Sequence, residues 1–186
     1  MTFIKTEFPS LIVVEPTVYK DSRGYFFESY SENNFKAEGI DIKFVQDNQS
    51  KSGYGVIRGL HYQLGPYAQT KLIRVLSGKI LDIAVDIRKG SSSFGKVFSI
   101  ELSAENNKQL FIPKGFAHGF SVLSETAEVI YKCDAFYHEE AEAGISYNDA
   151  TLQIDWKIPK EKALISDKDL QHPSFLNCLN NFVFEQ

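Results

Sequence analysis

Apolar and polar residues alternate with a period of two along much of the chain. In LDIAVDIR, residues 81–88, Leu81, Ile83, Val85 and Ile87 alternate with Asp82, Ala84, Asp86 and Arg88, which predicts a half-buried strand. KVFSIELS, 96–103, sets Phe98, Ile100 and Leu102 on one face, and AEVIYKCDAFY, 127–137, does the same with Val129, Tyr131 and Cys133. KLIRVLSGKILDI, 71–83, predicts two strands turning back on each other at Ser77-Gly78, a hairpin signal. Helical signals are few. YSENNFKAEG, 30–39, offers Ser31 as an N-cap and Gly39 as a stop. The tail from Asp167 to Gln186 has no clear period. Many short strands with glycine turns predict a mainly β sandwich or barrel. No linker, repeat or low-complexity tract divides residues 1–186, which predicts a single domain.

Composition narrows this picture. A chain of 186 residues can bury a substantial core, and its 15 Phe and 9 Tyr favour sheet over helix. The net charge of −4 argues against a general binder of nucleic acid or membrane surfaces, so basic residues within strands need a local explanation. Two cysteines, Cys133 and Cys178, make no disulfide framework and suit a reducing compartment. MTFIKTEFPS lacks a signal-like apolar run, and nothing approaches the roughly 20 apolar residues of a membrane span. A soluble cytoplasmic protein is expected.

VIRGLHYQ, 56–63, places Arg58 and His61 in an apolar strand. His61 ends a G-x5-H spacing that begins at Gly55, and Pro113-Lys-Gly115-Phe-Ala-His118 forms a P-x-G-x2-H spacing. The two spacings resemble the paired motifs of cupins, small double-stranded β-helix (jelly-roll) barrels. Metal-binding cupins continue the first motif with a second histidine and a glutamate. Here Gln63 stands in the histidine's place, and Tyr67 and Ala68 lie where the glutamate would fall. His138 and His172 have no spacing that replaces them, so no metal is expected. Period-two alternation puts His61 and Gln63 on one face and Arg58 on the other, unless Gly59 kinks the strand. Lys71 shares parity with Ile73 and Val75 and points towards the edge of a core face. A cation there needs a partner or an anionic ligand. Converging His, Arg and Lys side chains at a barrel mouth point to a negatively charged small molecule.

Longer stretches carry a more specific likeness. DSRGYFFE (21–28), VQDNQSKS (45–52), GVIRGLHYQ (55–63), AQTKLIRVLSGKILDIAVDIRKGSSSFGK (68–96), LSAENNKQLFIPKGFAHGFSVLSETAEVIYKC (102–133) and SDKD (166–169) together resemble the dTDP-4-dehydrorhamnose 3,5-epimerase family, in family order. The resemblance implies a metal-free cupin barrel that needs no cofactor and forms a homodimer, with N-terminal strands reaching the partner's site. It implies an isomerase for a dTDP-linked 4-keto-6-deoxyhexose, inverting the carbons on either side of the ketone. Such chemistry needs a base, an acid on the opposite face and a stabiliser for the enolate. By resemblance His61 is the base, Asp169 its carboxylate partner, Tyr131 the proton donor and Lys71 the positive charge near the C4 oxygen. The substrate contacts implied are Arg23, Arg58 and Lys168 on phosphates, Tyr137 stacked on the thymine, and Glu28, Gln46, Asp47, Asn48 and Glu142 around it. Phe26 packs near the base or sugar, and Gln63 and His118 line the pocket.

Without the resemblance these residues read blandly. Asp169 is then a surface charge beside Lys168, Tyr131 a core tyrosine, Lys71 a snorkelling rim lysine and His118 a structural histidine. The chain departs from the family at Tyr147-Asn-Asp-Ala150, where Trp-Asn-Asp-Pro is expected, and at Lys157-Ile158, where a proline would follow Trp156. Both changes bear on C-terminal packing rather than on the base or acid. Three other functions stay open: epimerisation at C3 or C5 alone, a metal-dependent cupin enzyme, and a non-catalytic sugar-binding barrel. The joint presence of base, acid and carboxylate argues against the last.

Overall fold

The computed structural model describes residues 1–184. Thirteen strands run in chain order: β1 (Thr2–Lys5), β2 (Ile12–Glu15), β3 (Tyr19–Asp21), β4 (Gly24–Phe26), β5 (Gln46–Gly53), β6 (Ile57–Gln63), β7 (Lys71–Ser77), β8 (Lys79–Asp86), β9 (Val97–Ser103), β10 (Gln109–Ile112), β11 (Phe116–Val122), β12 (Thr126–Cys133) and β13 (Glu142–Gly144). Helix α1 (Glu32–Ala37) lies between β4 and β5, and α2 (Asp167–Leu170) follows β13. A six-stranded sheet in the order β1-β2-β10-β7-β12-β5 faces a five-stranded sheet in the order β13-β6-β11-β8-β9, while, among the described residues, β3 and β4 pair only with each other. Named strand pairs are antiparallel. This is the cupin double-stranded β-helix that the two histidine motifs announce. Ile73, Val75, Ile80, Ala84, Leu102, Leu110 and Val129 fill the space between the sheets.

The Ser77-Gly78 turn does not make a hairpin. β7 pairs with β10 and β12, whereas β8 pairs with β11 and β9, so the turn carries the chain from one sheet to the other. Gly78 has φ +75°, and a Cβ there would collide with the Thr126 carbonyl. The tight glycine redirects the strand across the barrel instead of folding it onto itself.

Strand β8 is also not half-buried. From Ile80 to Asp86 every residue is buried. Its even positions face the barrel interior, where Ile80 and Ala84 join the core. Its odd positions, Leu81, Ile83 and Val85, pack with Ile57, Leu60, Ile145, Leu152 and Trp156. The segment after β13 thus forms an outer layer over the five-stranded sheet. Polar alternation in β8 therefore marks the interior: Asp82 faces the barrel, not solvent. The departures from family pattern leave this layer intact. Asp149 accepts from the amides of Thr151 (2.9 Å), Leu152 (2.8 Å) and Phe175 (2.8 Å), and the Trp156 indole donates to the Tyr147 carbonyl at 2.7 Å.

Helix α1 covers the other sheet. Ser31 caps it, accepting from the Asn34 amide at 3.4 Å, and Gly39 beyond its end adopts φ +80°. Phe35 anchors it against Ile12, Val14, Leu72 and Phe111. With both sheets covered, the open end of the barrel is left for a ligand.

Candidate active site

A cavity of about 350 Å³ opens between the sheets, lined by Gln46, Asn48, His61, Gln63, Gln69, Lys71, Tyr131, Tyr137 and Glu142, among others. His61 enters from β6 of the five-stranded sheet, and Tyr131 and Lys71 enter from β12 and β7 of the facing one. A flat molecule held between the sheets therefore meets an imidazole on one face and a phenol on the other.

The imidazole is held by Asp169. Its Nε2 lies 2.8 Å from Oδ1 of Asp169, whose other oxygen accepts from the Gly59 amide at 3.1 Å. Asp169 is only 4% exposed, so it is no surface charge. Burial pushes its carboxyl up, but His61, the Gly59 amide and Ser166 outweigh that and hold it at about 2. An ionised carboxylate only accepts, so the hydrogen sits on Nε2 and leaves Nδ1 as the basic nitrogen. Local sequence explains the placement. Ser166 caps α2, accepting from the Asp169 amide at 3.1 Å, and so turns Asp169 inwards.

Gly59 provides the expected kink. It adopts φ +117°, and the β6–β11 register shifts between His118 and Phe120. A Cβ at Gly59 would lie 2.6 Å from the Gly119 Cα. Arg58 is left exposed, with its guanidinium donating to the Ser52 hydroxyl at 3.1 Å from each of two nitrogens. It lines an adjoining cleft with Lys168 and Asp169.

On the opposite wall burial raises the Tyr131 phenol above its ordinary value, so it holds its proton. Burial lowers the Lys71 ammonium, while Cys133, Asp82 and Glu142 oppose the shift. Its Nζ stands 5.7 Å from the centre of the Tyr131 ring. At the mouth, Glu142 accepts at 2.6 Å from both the Tyr137 hydroxyl and the Lys168 ammonium. Burial pushes Glu142 up, but those two partners bring it below the usual carboxylate range. Gln46 accepts from the Tyr137 amide at 3.0 Å and donates to Asn48 at 3.0 Å.

Other expected contacts lie elsewhere. His118 pairs with His61 in the strand register but is 5% exposed, bound to the inward-facing Asp82 at 2.8 Å and not part of the cavity lining. Asp47 has the opposite parity to Gln46 and Asn48, and it meets Lys132 at 3.1 Å on the outer face. Glu28 accepts from Asn34 of α1 at 2.6 Å. Arg23 and Phe26 sit on the β3–β4 hairpin, where Arg23 pairs with Asp21 at 2.6 Å and Phe26 is 72% exposed. Gln63 lines the cavity, but its amide accepts from the His138 amide at 2.6 Å and donates to the Tyr67 carbonyl at 2.9 Å, which fixes the loop bearing Tyr137.

Sequence reading missed Gln69, which lines the cavity, and His172, whose ring lies 5.5 Å from that of His61. Ser166-x-x-Asp169 is a capping signature, and a helix started there brings position 172 beneath Asp169.

An imidazole and a phenol on facing walls, with a half-buried lysine beside the phenol, are groups suited to acid–base chemistry in a cupin barrel. The chain belongs to the dTDP-4-dehydrorhamnose 3,5-epimerase family, whose sequence pattern matches residues 5–177. The enzyme of that name from Shigella flexneri is 51% identical over 179 residues, covering 96% of this chain and 98% of that one. The crystal structure of dTDP-4-dehydrorhamnose 3,5-epimerase from Elizabethkingia anophelis superposes with a TM-score of 0.91 at 51% identity, covering 95% of this chain and 97% of that one. The Legionella pneumophila dTDP-6-deoxy-D-glucose-3,5-epimerase, solved in complex with dTDP-4-keto-L-rhamnose, superposes with a TM-score of 0.90 at 45% identity, covering 95% and 93%.

Proposed function

We propose that the protein inverts C3 and C5 of dTDP-4-dehydro-6-deoxy-D-glucose to give dTDP-4-dehydro-L-rhamnose, within deoxysugar synthesis. The observation that carries the reading is the entry of His61 and Tyr131 from opposite sheets into one cavity. A proton α to the C4 ketone leaves to His61 Nδ1, and Asp169 stabilises the imidazolium that forms. Charge moves onto the C4 oxygen, where Lys71 offsets it. Tyr131 then returns a proton to the other face of the carbon. Repetition at the second carbon requires only that the sugar shift between the same two groups.

Tyr137, Gln46, Asn48 and Glu142 gather at the mouth and hold the base, while Arg58 and Lys168 face the diphosphate. Arg23 and Phe26 line neither this cavity nor the adjoining cleft, but a separate hollow on the hairpin. The hairpin also exposes Tyr19 and Tyr25 beside Phe26, an apolar patch of the kind that marks an interaction surface. These features support a homodimer in which each hairpin completes the partner's nucleotide site. Two free cysteines suit the cytoplasm. Among the described residues, no helix is long and apolar enough to cross a membrane.

The test is turnover of dTDP-4-dehydro-6-deoxy-D-glucose in D₂O, followed by NMR. Deuterium at both C3 and C5 is the expected result. Label at one carbon would make the protein a single-site epimerase, and no label would overturn the reading.

A further inference from the structure

His172 has no part in the proton transfers described above, yet it stands against the pair that performs them. Its ring packs on Gly144, where a Cβ would lie 2.5 Å from its Cε1. Its side chain is 12% exposed, and its Nε2 is buried without a hydrogen-bond partner among the described residues. That nitrogen is 3.7 Å from Oδ1 of Asp169, the same oxygen that lies 2.8 Å from His61 Nε2. A buried nitrogen with no partner is unfavourable, so it calls for an occupant. Burial, first, and the neighbouring His61 and Lys168 lower the pKa of His172; Asp169 and Glu142 oppose them. His172 is therefore neutral at physiological pH, with a lone pair to give.

We propose that His61, Asp169 and His172 form a binding site for one borderline divalent cation, such as Zn²⁺, which shuts off the enzyme by capturing its base. The three ligand atoms lie within 4.8 Å of one another. Zinc bonds of about 2.0–2.2 Å set ligand atoms roughly 3.4 Å apart around one tetrahedral ion, so the His61–Asp169 pair must open slightly and the two imidazole nitrogens must close by up to about 1.4 Å, a rotamer-sized shift of the His172 ring. Two imidazoles and a carboxylate are a donor set for Zn²⁺ rather than Mg²⁺ or Ca²⁺. Asp169 already has its second oxygen fixed by the Gly59 amide, the kind of outer support that holds metal ligands in place. A further ligand position can open on the cavity of about 410 Å³ lined by Glu142, Gly144, Lys168 and His172.

The effect on catalysis follows from the tautomer, and it rests on the reading of His61 as the base. When the ion takes the lone pair at Nε2, the hydrogen shared with Asp169 moves to Nδ1. No proton is gained or lost overall, but Nδ1 then carries a hydrogen and has no lone pair for a substrate proton. The site is inhibitory and distinct from the cofactor site of metal-dependent cupins. Those add a second histidine and a glutamate to the first-motif histidine, at the places held here by Gln63 and by Tyr67 and Ala68, so only His61 is common to the two sites.

The test begins with Zn²⁺ and protein alone, in calorimetry, with Co²⁺ absorption to report ligand geometry. One ion per chain at micromolar affinity is expected, with a tetrahedral Co²⁺ spectrum. Turnover should fall in step with occupancy and return with EDTA. His172→Phe keeps the ring over Gly144, and His172→Asn keeps a polar group of smaller size. Both should turn over substrate without metal, and both should lose metal affinity and inhibition by at least about tenfold. Absence of binding up to millimolar Zn²⁺, or equal affinity in either folded variant, overturns the proposal. Binding through His172 with undiminished turnover would keep the site and overturn the assignment of His61 as base.

Discussion

His61 and Tyr131 stand on strands with ladder partners on both sides, β6 between β13 and β11 and β12 between β7 and β5. Arg23 and Phe26 stand on a hairpin whose strands, among the described residues, pair only with each other. Both regions carry residues of the proposed site, but they hold them differently. Proton transfer depends on atoms placed within fractions of an ångström, so its groups belong on rigid elements with their hydrogen bonds satisfied. Phosphate recognition by a long cation tolerates movement, so it can be supplied by a projecting ribbon, including one from a second copy of the chain. The site divides accordingly: chemistry within one barrel, part of the nucleotide grip on the hairpin.

The largest expected effect comes from the rigid side. His61→Asn should lower kcat by about 10³-fold, within the range for loss of a general base, with deuterium uptake at C3 and C5 falling equally. Tyr131→Phe should slow product formation by about 10²-fold. It should still allow deuterium exchange into recovered substrate, because His61 can still remove a proton and return one to the same face. If exchange falls as far as turnover in Tyr131→Phe, the two walls do not have the separate roles assigned here.

The Asp169 partner of His61 should also be visible in stability. Its folded pKa of about 2 lies below the ordinary carboxylate value near 3.9. Stabilisation from it is therefore fully present above about pH 4 and is lost as the pH falls towards 2, amounting to about 2 kcal/mol. Urea unfolding between pH 5 and 2.5 should show this loss, and Asp169→Asn should flatten it. The Arg23–Asp21 pair on the hairpin is open to water and screened. Arg23→Ala should leave the acid limb unchanged. An equal change from both substitutions would remove the contrast between the two regions.

The rigid side was also the more legible. Period-two alternation alone put His61 with Gln63 and Tyr131 with Val129 and Cys133, and parity turned Lys71 inwards. Alternation does not say which face is inside, and so β8 was misread. Its apolar face lies under an outer layer contributed by residues from Ile145 onwards, which no local window reveals. The Ser77-Gly78 turn failed for a related reason. A tight glycine turn looks the same whether the strands pair or part, and the choice is made by distant β10, β11 and β12. Parity with Gln46 and Asn48 already sets Asp47 on the other face of its strand. His172 required knowing that α2 docks on β6, a contact between segments more than a hundred residues apart, as the His61–Asp169 separation of 108 shows. Arg23 and Phe26 are assigned by resemblance alone, and neither lines the cavity.

The smallest single-variant effect is expected on the hairpin, and it gives the sharpest test of the division. Arg23→Ala should raise KM about tenfold with kcat nearly unchanged, the size of one charge-assisted phosphate contact. Unfolding and mixing that variant with His61→Asn, then refolding them together, separates the two possible geometries. If the hairpin serves its own barrel, every site carries either the His61 or the Arg23 defect, and low-substrate turnover stays at the mean of the two parents. If it serves the partner's barrel, each mixed dimer contains one site with both residues intact. About half the dimers in an equal mixture are mixed, so a quarter of all sites regain full function, and low-substrate turnover rises above either parent. An activity at the parental mean would place Arg23 in its own chain's site and would require the hairpin to fold back across the barrel mouth when substrate binds.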